Sequence, residues 1–174
     1  MSKSYRTHRR AGRIAVAALA ALMSVAAPAL ANDITAGDMT LVHPWARATP
    51  AASPVGGGYL EIRNAGSQPD RLVGGSAQFA EKVEIHEMSM ADGVMKMRQL
   101  ADGLEIPAGG GVRLKPGSIH IMFVGLKEPL VEGRSVEAML VFEKAGPVEV
   151  EFQVGSMTGA MPDGGHMPEH APSN

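Results

Sequence analysis

Two short stretches of this chain carry side chains that could hold a soft metal ion. His86 is followed closely by Met88, Met90, Met95 and Met97, and His120 stands two positions before Met122. Imidazole accepts copper in either oxidation state, and thioether sulfur favours Cu(I). Two imidazoles with two thioethers would make a four-coordinate site with no charge of its own. Its expected cargo is Cu(I), with Ag(I) as an accidental substitute. The 174 residues contain no cysteine, which removes zinc ribbons, iron–sulfur clusters, thiol redox pairs and thiol nucleophiles. It also removes a blue-copper electron carrier, which needs a thiolate ligand.

These side chains need strands to aim them. In a strand, residues two apart share a face. His86 and Met88 therefore lie with Glu84, opposite Val83 and Ile85, while Glu87 turns away. His120 and Met122 share a face, and Ile119, Ile121 and Phe123 take the other and anchor the strand. Met139, inside an apolar strand, reads as flexible core filler. The methionines near His86 sit on a polar face, where filler is not needed.

The rest of the chain is consistent with such a frame. Residues 40–42, 58–63, 82–88, 112–114, 135–142 and 148–154 are short runs, several alternating apolar and polar, as half-buried strands do. Gly- and Pro-rich breakers separate them at 50–58, 64–69, 108–111, 116–117 and 146–147. No stretch beyond the first thirty or so residues keeps a helical period for three turns. The expected fold is all-β, a single antiparallel Greek-key sandwich or barrel spanning residues 38–155.

The two ends read differently. Lys3, Arg6, Arg9, Arg10 and Arg13 precede the apolar run 14–27 and the small-residue site Ala29-Leu30-Ala31. That is the pattern of a secretory signal peptide, residues 1–31, cleaved after Ala31. Residues around Arg9-Arg10 favour the general export route over the twin-arginine one. Cleavage removes five of the 16 basic residues and none of the 18 acidic ones, leaving a net charge of −7 with histidine neutral. An acidic chain does not suit nucleic acid, which is bound largely through Lys and Arg. Residues 32–37 are expected to be a short flexible start. Residues 156–174, rich in Gly and Pro, are expected to be a disordered Met/His-rich tail.

With these motifs in view, the chain resembles the periplasmic copper chaperone family PCuAC. That family's pattern is His, ten residues, Met, twenty-one residues, His-x-Met. Here ten residues separate His86 from Met97, and twenty-two separate Met97 from His120-Ile121-Met122. The extra residue fits the loop 99–103, and Met95 would break the first spacing. Trp45-Ala46-Arg47-Ala48-Thr49, Gly57-Gly58-Tyr59-Leu60, Ile106-Pro107-Ala108-Gly109-Gly110 and Leu114-Lys115-Pro116-Gly117 are also similar. The resemblance covers roughly residues 39–155. It implies a cupredoxin-like fold and a Cu(I) site of His86, Met97, His120 and Met122. It also implies periplasmic delivery towards the copper centre of cytochrome c oxidase, alongside a Sco-type thiol protein. Some members carry a Met/His-rich extension that holds more copper. Met157, Met161, His166, Met167 and His170 look like that extension, able to take a second copper or Cu(II).

Other readings are weaker. His43 belongs to neither His/Met pair and reads as structural or surface. Trp45 reads as a core or rim aromatic. His86-Glu87 is not a zinc-protease motif, because residue 90 is Met and the segment reads as strand. Gly109–Gly111 is a turn, with no phosphate-binding Lys-Ser/Thr after it. There is no activated nucleophile or acid–base pair, so a binding protein, not an enzyme, is expected. It should be a monomer without stable membrane insertion. A copper buffer and a metal-free interaction module are the competing functions.

Overall fold

The computed structural model describes residues 33–91 and 93–159. The signal peptide expected at 1–31, and Met161, His166, Met167 and His170 of the tail, lie outside the described residues. Every regular element among the described residues is a strand, and no helix there is long and apolar enough to cross a membrane.

The strands are β1 (Ile34–Ala36), β2 (Met39–Arg47), β3 (Val55–Asn64), β4 (Asp70–Ala77), β5 (Lys82–Ala91), β6 (Val94–Gln99), β7 (Leu104–Ile106), β8 (Gly110–Leu114), β9 (Ile119–Val124), β10 (Ser135–Phe142) and β11 (Gly146–Gly155). Seven of them follow one another in the order β2-β11-β10-β4-β5-β9-β3, and a further β2–β3 pairing closes the ring. The all-β Greek-key expectation is met, with a closed barrel as its form. Closure leaves no bare edge among those seven strands. β1, β6, β7 and β8 attach to β2, β5, β4 and β3 respectively. One pairing departs from the antiparallel expectation: β11 runs parallel to β2, with Val154 beside Ala46.

Inward residues fill the barrel. Leu41, Leu60, Ile62, Leu72, Ile121, Phe123, Phe142 and Phe152 are all buried. Phe123 meets Phe79 and Phe152 edge-on, with ring centroids 4.9 and 5.5 Å away, a favoured aromatic arrangement. Met139 lies in β10, where it is partly buried.

The start of the chain corrects one expectation. Residues 34–36 form β1 instead of a flexible segment, pairing Ile34 with Leu41 and Ala36 with Met39. Ile34 and Ala36 pack against the core, and that burial offsets the entropy of ordering so short a piece. The expected tail begins as a turn, in which the Gly159 amide donates to the Ser156 carbonyl.

Candidate metal centre

The centre stands on the outer face of three neighbouring strands and a hairpin. β5 and β9 pair so that His86 lies directly opposite His120, and Glu84 directly opposite Met122. β6 folds back on β5, setting Met97 opposite Met88 and Gln99 opposite His86. β3 flanks β9 from the other side, with Gly57 opposite Met122. Alternation then gives one face to Glu84, His86, Met88, Met97, His120 and Met122. Val83, Ile85, Ile121 and Phe123 turn inward and are buried, so the core holds the backbone that aims the outer face.

The two imidazoles have centroids 6.1 Å apart with planes tilted by 47°. A cleft of about 320 Å³ opens beside them, with Met88, Met97, His120, Met122, Tyr59 and Arg47 among its walls. Both thioethers expected as ligands, and one of the two imidazoles, thus border one space. Met95 lies farther out along the hairpin, opposite Met90, and is not part of that wall. His86 stands next to the cleft without lining it.

Hydrogen bonds divide the imidazole nitrogens between structure and chemistry. His120 Nδ1 lies 2.9 Å from the Ser118 carbonyl oxygen. A carbonyl only accepts, so Nδ1 carries the proton and Nε2 keeps its lone pair. Burial pushes the His120 pKa down; the Ser118 carbonyl opposes this, and the neighbouring His86 and Arg47 add to it. The net effect favours the neutral ring, the form that binds a metal. In His86 the roles are reversed. Nε2 lies 2.9 Å from a Glu84 carboxylate oxygen, while Nδ1 is buried with no hydrogen-bond partner among the described residues. A buried ring nitrogen without a partner is costly, and a metal bond would satisfy it.

An aromatic wall backs the cleft. Trp45 is buried and lies against Tyr59, ring centroids 4.5 Å apart, in agreement with its reading as a core aromatic. Tyr59 in turn stands 6.4 Å from the His120 ring. Burial raises the Tyr59 pKa, with Arg47 pulling the other way; the Arg47 guanidinium lies 5.8 Å from the Tyr59 ring centroid. Gly57 lies close beneath this wall: a Cβ there would stand 2.5 Å from the Tyr59 hydroxyl and would displace that ring.

The residue pattern places Glu84 and Met88 on the His86 face but assigns neither a role at the centre. Glu84 shares the His86 face by simple alternation, which was a usable signal. Its contact with the His86 ring depends on side-chain geometry that alternation does not specify. Glu87 does turn away, where it pairs with Arg98 at 2.6 Å. Met88 enters the cleft because the hairpin register sets it against Met97. His43 is exposed, with a backbone φ of 49° at the irregular step in the β2–β3 pairing, and its amide donates to Asp33. It takes no part in the centre. Met157 is exposed in the turn after β11. No group of three or more His, Cys, Asp or Glu side chains among the described residues could hold a metal ion.

Comparison with known proteins agrees with this architecture. Residues 39–154 match the family described as "Putative lipoprotein LpqE-like". The Lxx21020 protein of Leifsonia xyli subsp. xyli, which bears the same lipoprotein name, is 32% identical over 116 residues, covering 67% of this chain and 69% of its own. The copper-bound PCuAC domain from PmoF2 superposes with a TM-score of 0.61 at 27% identity, over 71% of this chain and 97% of that one. The solution structure of CuI-DR1885 from Deinococcus radiodurans gives 0.52 at 27% identity, over 73% and 83%. The barrel is therefore of the PCuAC, cupredoxin-like kind, and the chain belongs to the LpqE-like family.

Proposed function

We propose that this protein is a periplasmic copper chaperone. It holds one Cu(I) through His86, Met97, His120 and Met122 and passes it towards the copper centre of cytochrome c oxidase, with a Sco-type thiol protein as a second partner. The observation that carries the reading is the His86–His120 cross-strand pair, set beside a cleft walled by Met97 and Met122. Solved domains of the same fold bear the words copper-bound and CuI in their descriptions, which supports copper as cargo.

The donor set suits such a cargo. Soft thioethers favour Cu(I), and imidazole tolerates either oxidation state. His120 Nε2 is free to bind, and the orphaned Nδ1 is the donor left to His86. The chain has no catalytic role in this reading. Export rests on the leader pattern and on the lipoprotein description of the family. The 174 residues hold no cysteine thiol to carry an acyl or prenyl group, so the reading includes no thiol-linked anchor within them.

Two measurements test it. X-ray absorption of the Cu(I)-loaded protein should show both sulfur and nitrogen scatterers, and a shell of nitrogen and oxygen alone overturns the site. Mixing the loaded protein with an apo-oxidase copper domain should move the metal. Tight binding without transfer would instead identify a buffer.

A further inference from the structure

The β5–β6 hairpin holds more thioethers than the inner site uses. Met88 faces Met97 and, one step towards the tip, Met90 faces Met95. Residues two apart share a face, so four methionines form a two-by-two patch on one side of the hairpin. Their charged and polar neighbours take the other side, where Glu87 is paired with Arg98 and Ser89 lies opposite Lys96. Met90 is 65% exposed, Met95 52% and Met97 48%. Every residue of β6 is exposed, so core filling does not account for these side chains. Thioethers are soft donors, so four gathered on one exposed face offer a site to a soft ion.

We propose that this patch is a second, outer Cu(I) site made only of thioethers, with Met90 and Met95 at its centre and Met88 and Met97 linking it to the inner site. Directly opposed Cβ atoms in a sheet lie about 4.5–5.5 Å apart, and diagonal ones about 7–8 Å. Each methionine has three rotatable bonds with which to bring its sulfur inward. Without imidazole or carboxylate the outer site selects Cu(I) over harder ions and holds it less tightly than the mixed inner site. Met88 and Met97 also wall the cleft that contains His120 and Met122, so the two sites share a border. Copper moves between them by ligand exchange. A bond to Met90 or Met95 breaks as one to Met88 or Met97 forms, the ion remains Cu(I), and no proton moves, because a thioether carries none. This inference rests on the reading of the inner site as a Cu(I) carrier.

The test is a titration of the full chain, carrying 13C-labelled methionine methyl groups, with Ag(I), a redox-inert stand-in for Cu(I). Met97 and Met122 methyl signals should move with the first equivalent, and those of Met90 and Met95 with further addition. In the M90A/M95A double variant, both positions being exposed, the Met97 and Met122 shifts at the first equivalent should persist and the chain should bind one Ag(I) fewer; an unchanged Ag(I) stoichiometry would overturn the outer site. Met90 and Met95 signals that stay in place after Met122 has saturated overturn the outer site and leave the inner one standing. Movement of Met90 and Met95 while Met122 stays still overturns the inner reading instead. If no methionine signal moves, both fail.

Discussion

His86 and His120 face each other across the β5–β9 pair, yet each is held through a different ring nitrogen. His120 is fixed by Nδ1 on the Ser118 carbonyl, and His86 by Nε2 on the Glu84 carboxylate. The two rings therefore offer non-equivalent nitrogens to one neighbourhood. In the proposed site, a metal joining them would meet Nε2 of His120 and Nδ1 of His86.

The first prediction concerns that asymmetry. Glu84→Ala should weaken Cu(I) binding by about 10–100-fold, the range found when partners that orient metal-ligating histidines are removed. Glu84→Gln keeps an amide oxygen to accept from Nε2 and should restore most of the affinity. Competition with a Cu(I) chelator, run beside thermal melts, separates positioning from general damage. Equal loss in both variants with unchanged melting would show that charge, not ring orientation, is what Glu84 supplies.

Removing a direct donor should cost at least as much. His120→Ala and Met122→Ala should each lower Cu(I) affinity by about 100-fold or more, beyond the effect of losing an orienting partner. Met90→Ala should leave the tightest binding unchanged. Similar losses in all three variants, measured with the same chelator, would contradict the ligand assignment.

A third prediction is about stability. Asp70 is buried, and burial alone would disfavour its charge; backbone amides of Lys144, Arg71 and Ala145 donate to it and outweigh that, holding its pKa below the usual value. A carboxylate with a depressed folded-state pKa stabilises the fold above its unfolded pKa, and the contribution is lost as pH falls through the folded value. Asp70→Asn should cost about 1–3 kcal/mol at neutral pH, and less below pH of about 4, near the unfolded pKa. Denaturant melts at several pH values check this; a penalty that does not shrink in acid points to lost packing.

The tail gives the fourth. A chain ending at Gly159 keeps the terminal turn but loses Met161, His166, Met167 and His170. It should bind less copper, and the Cu(II) spin-resonance signal of the full chain should diminish, because His166 and His170 offer the imidazoles that Cu(II) accepts. An unchanged stoichiometry and signal would make the tail a simple chain end.

Much of the frame was legible in the residues. The alternation in 82–88, 135–142 and 148–154 marks strands whose inner faces are apolar, and His120-Ile121-Met122 declares its own geometry. β4, β6 and β7 leave no strand pattern in the residues. β4 contains Gly74 and Gly75, which carry no pattern, and β6 is exposed throughout, so only its pairing with β5 makes it a strand. β1 is too short to show a period. At the site, the His/Met donors could be named, but the Glu84–Met122 and Met88–Met97 oppositions depend on register, which long-range pairing and turn geometry decide.

The ring of strands has a consequence for when the site comes into being. β3, β5 and β9 are far apart in the chain, and β6, β7 and β8 lie between β5 and β9 in sequence. Pairings between distant segments form slowly, because chain entropy is lost before the contacts repay it. A nascent or unfolded chain therefore displays the His86 and His120 imidazoles with no common focus. Capture at the proposed His86/His120 site would then be a late event that reports completed folding, and the bound metal would favour the finished barrel over earlier states.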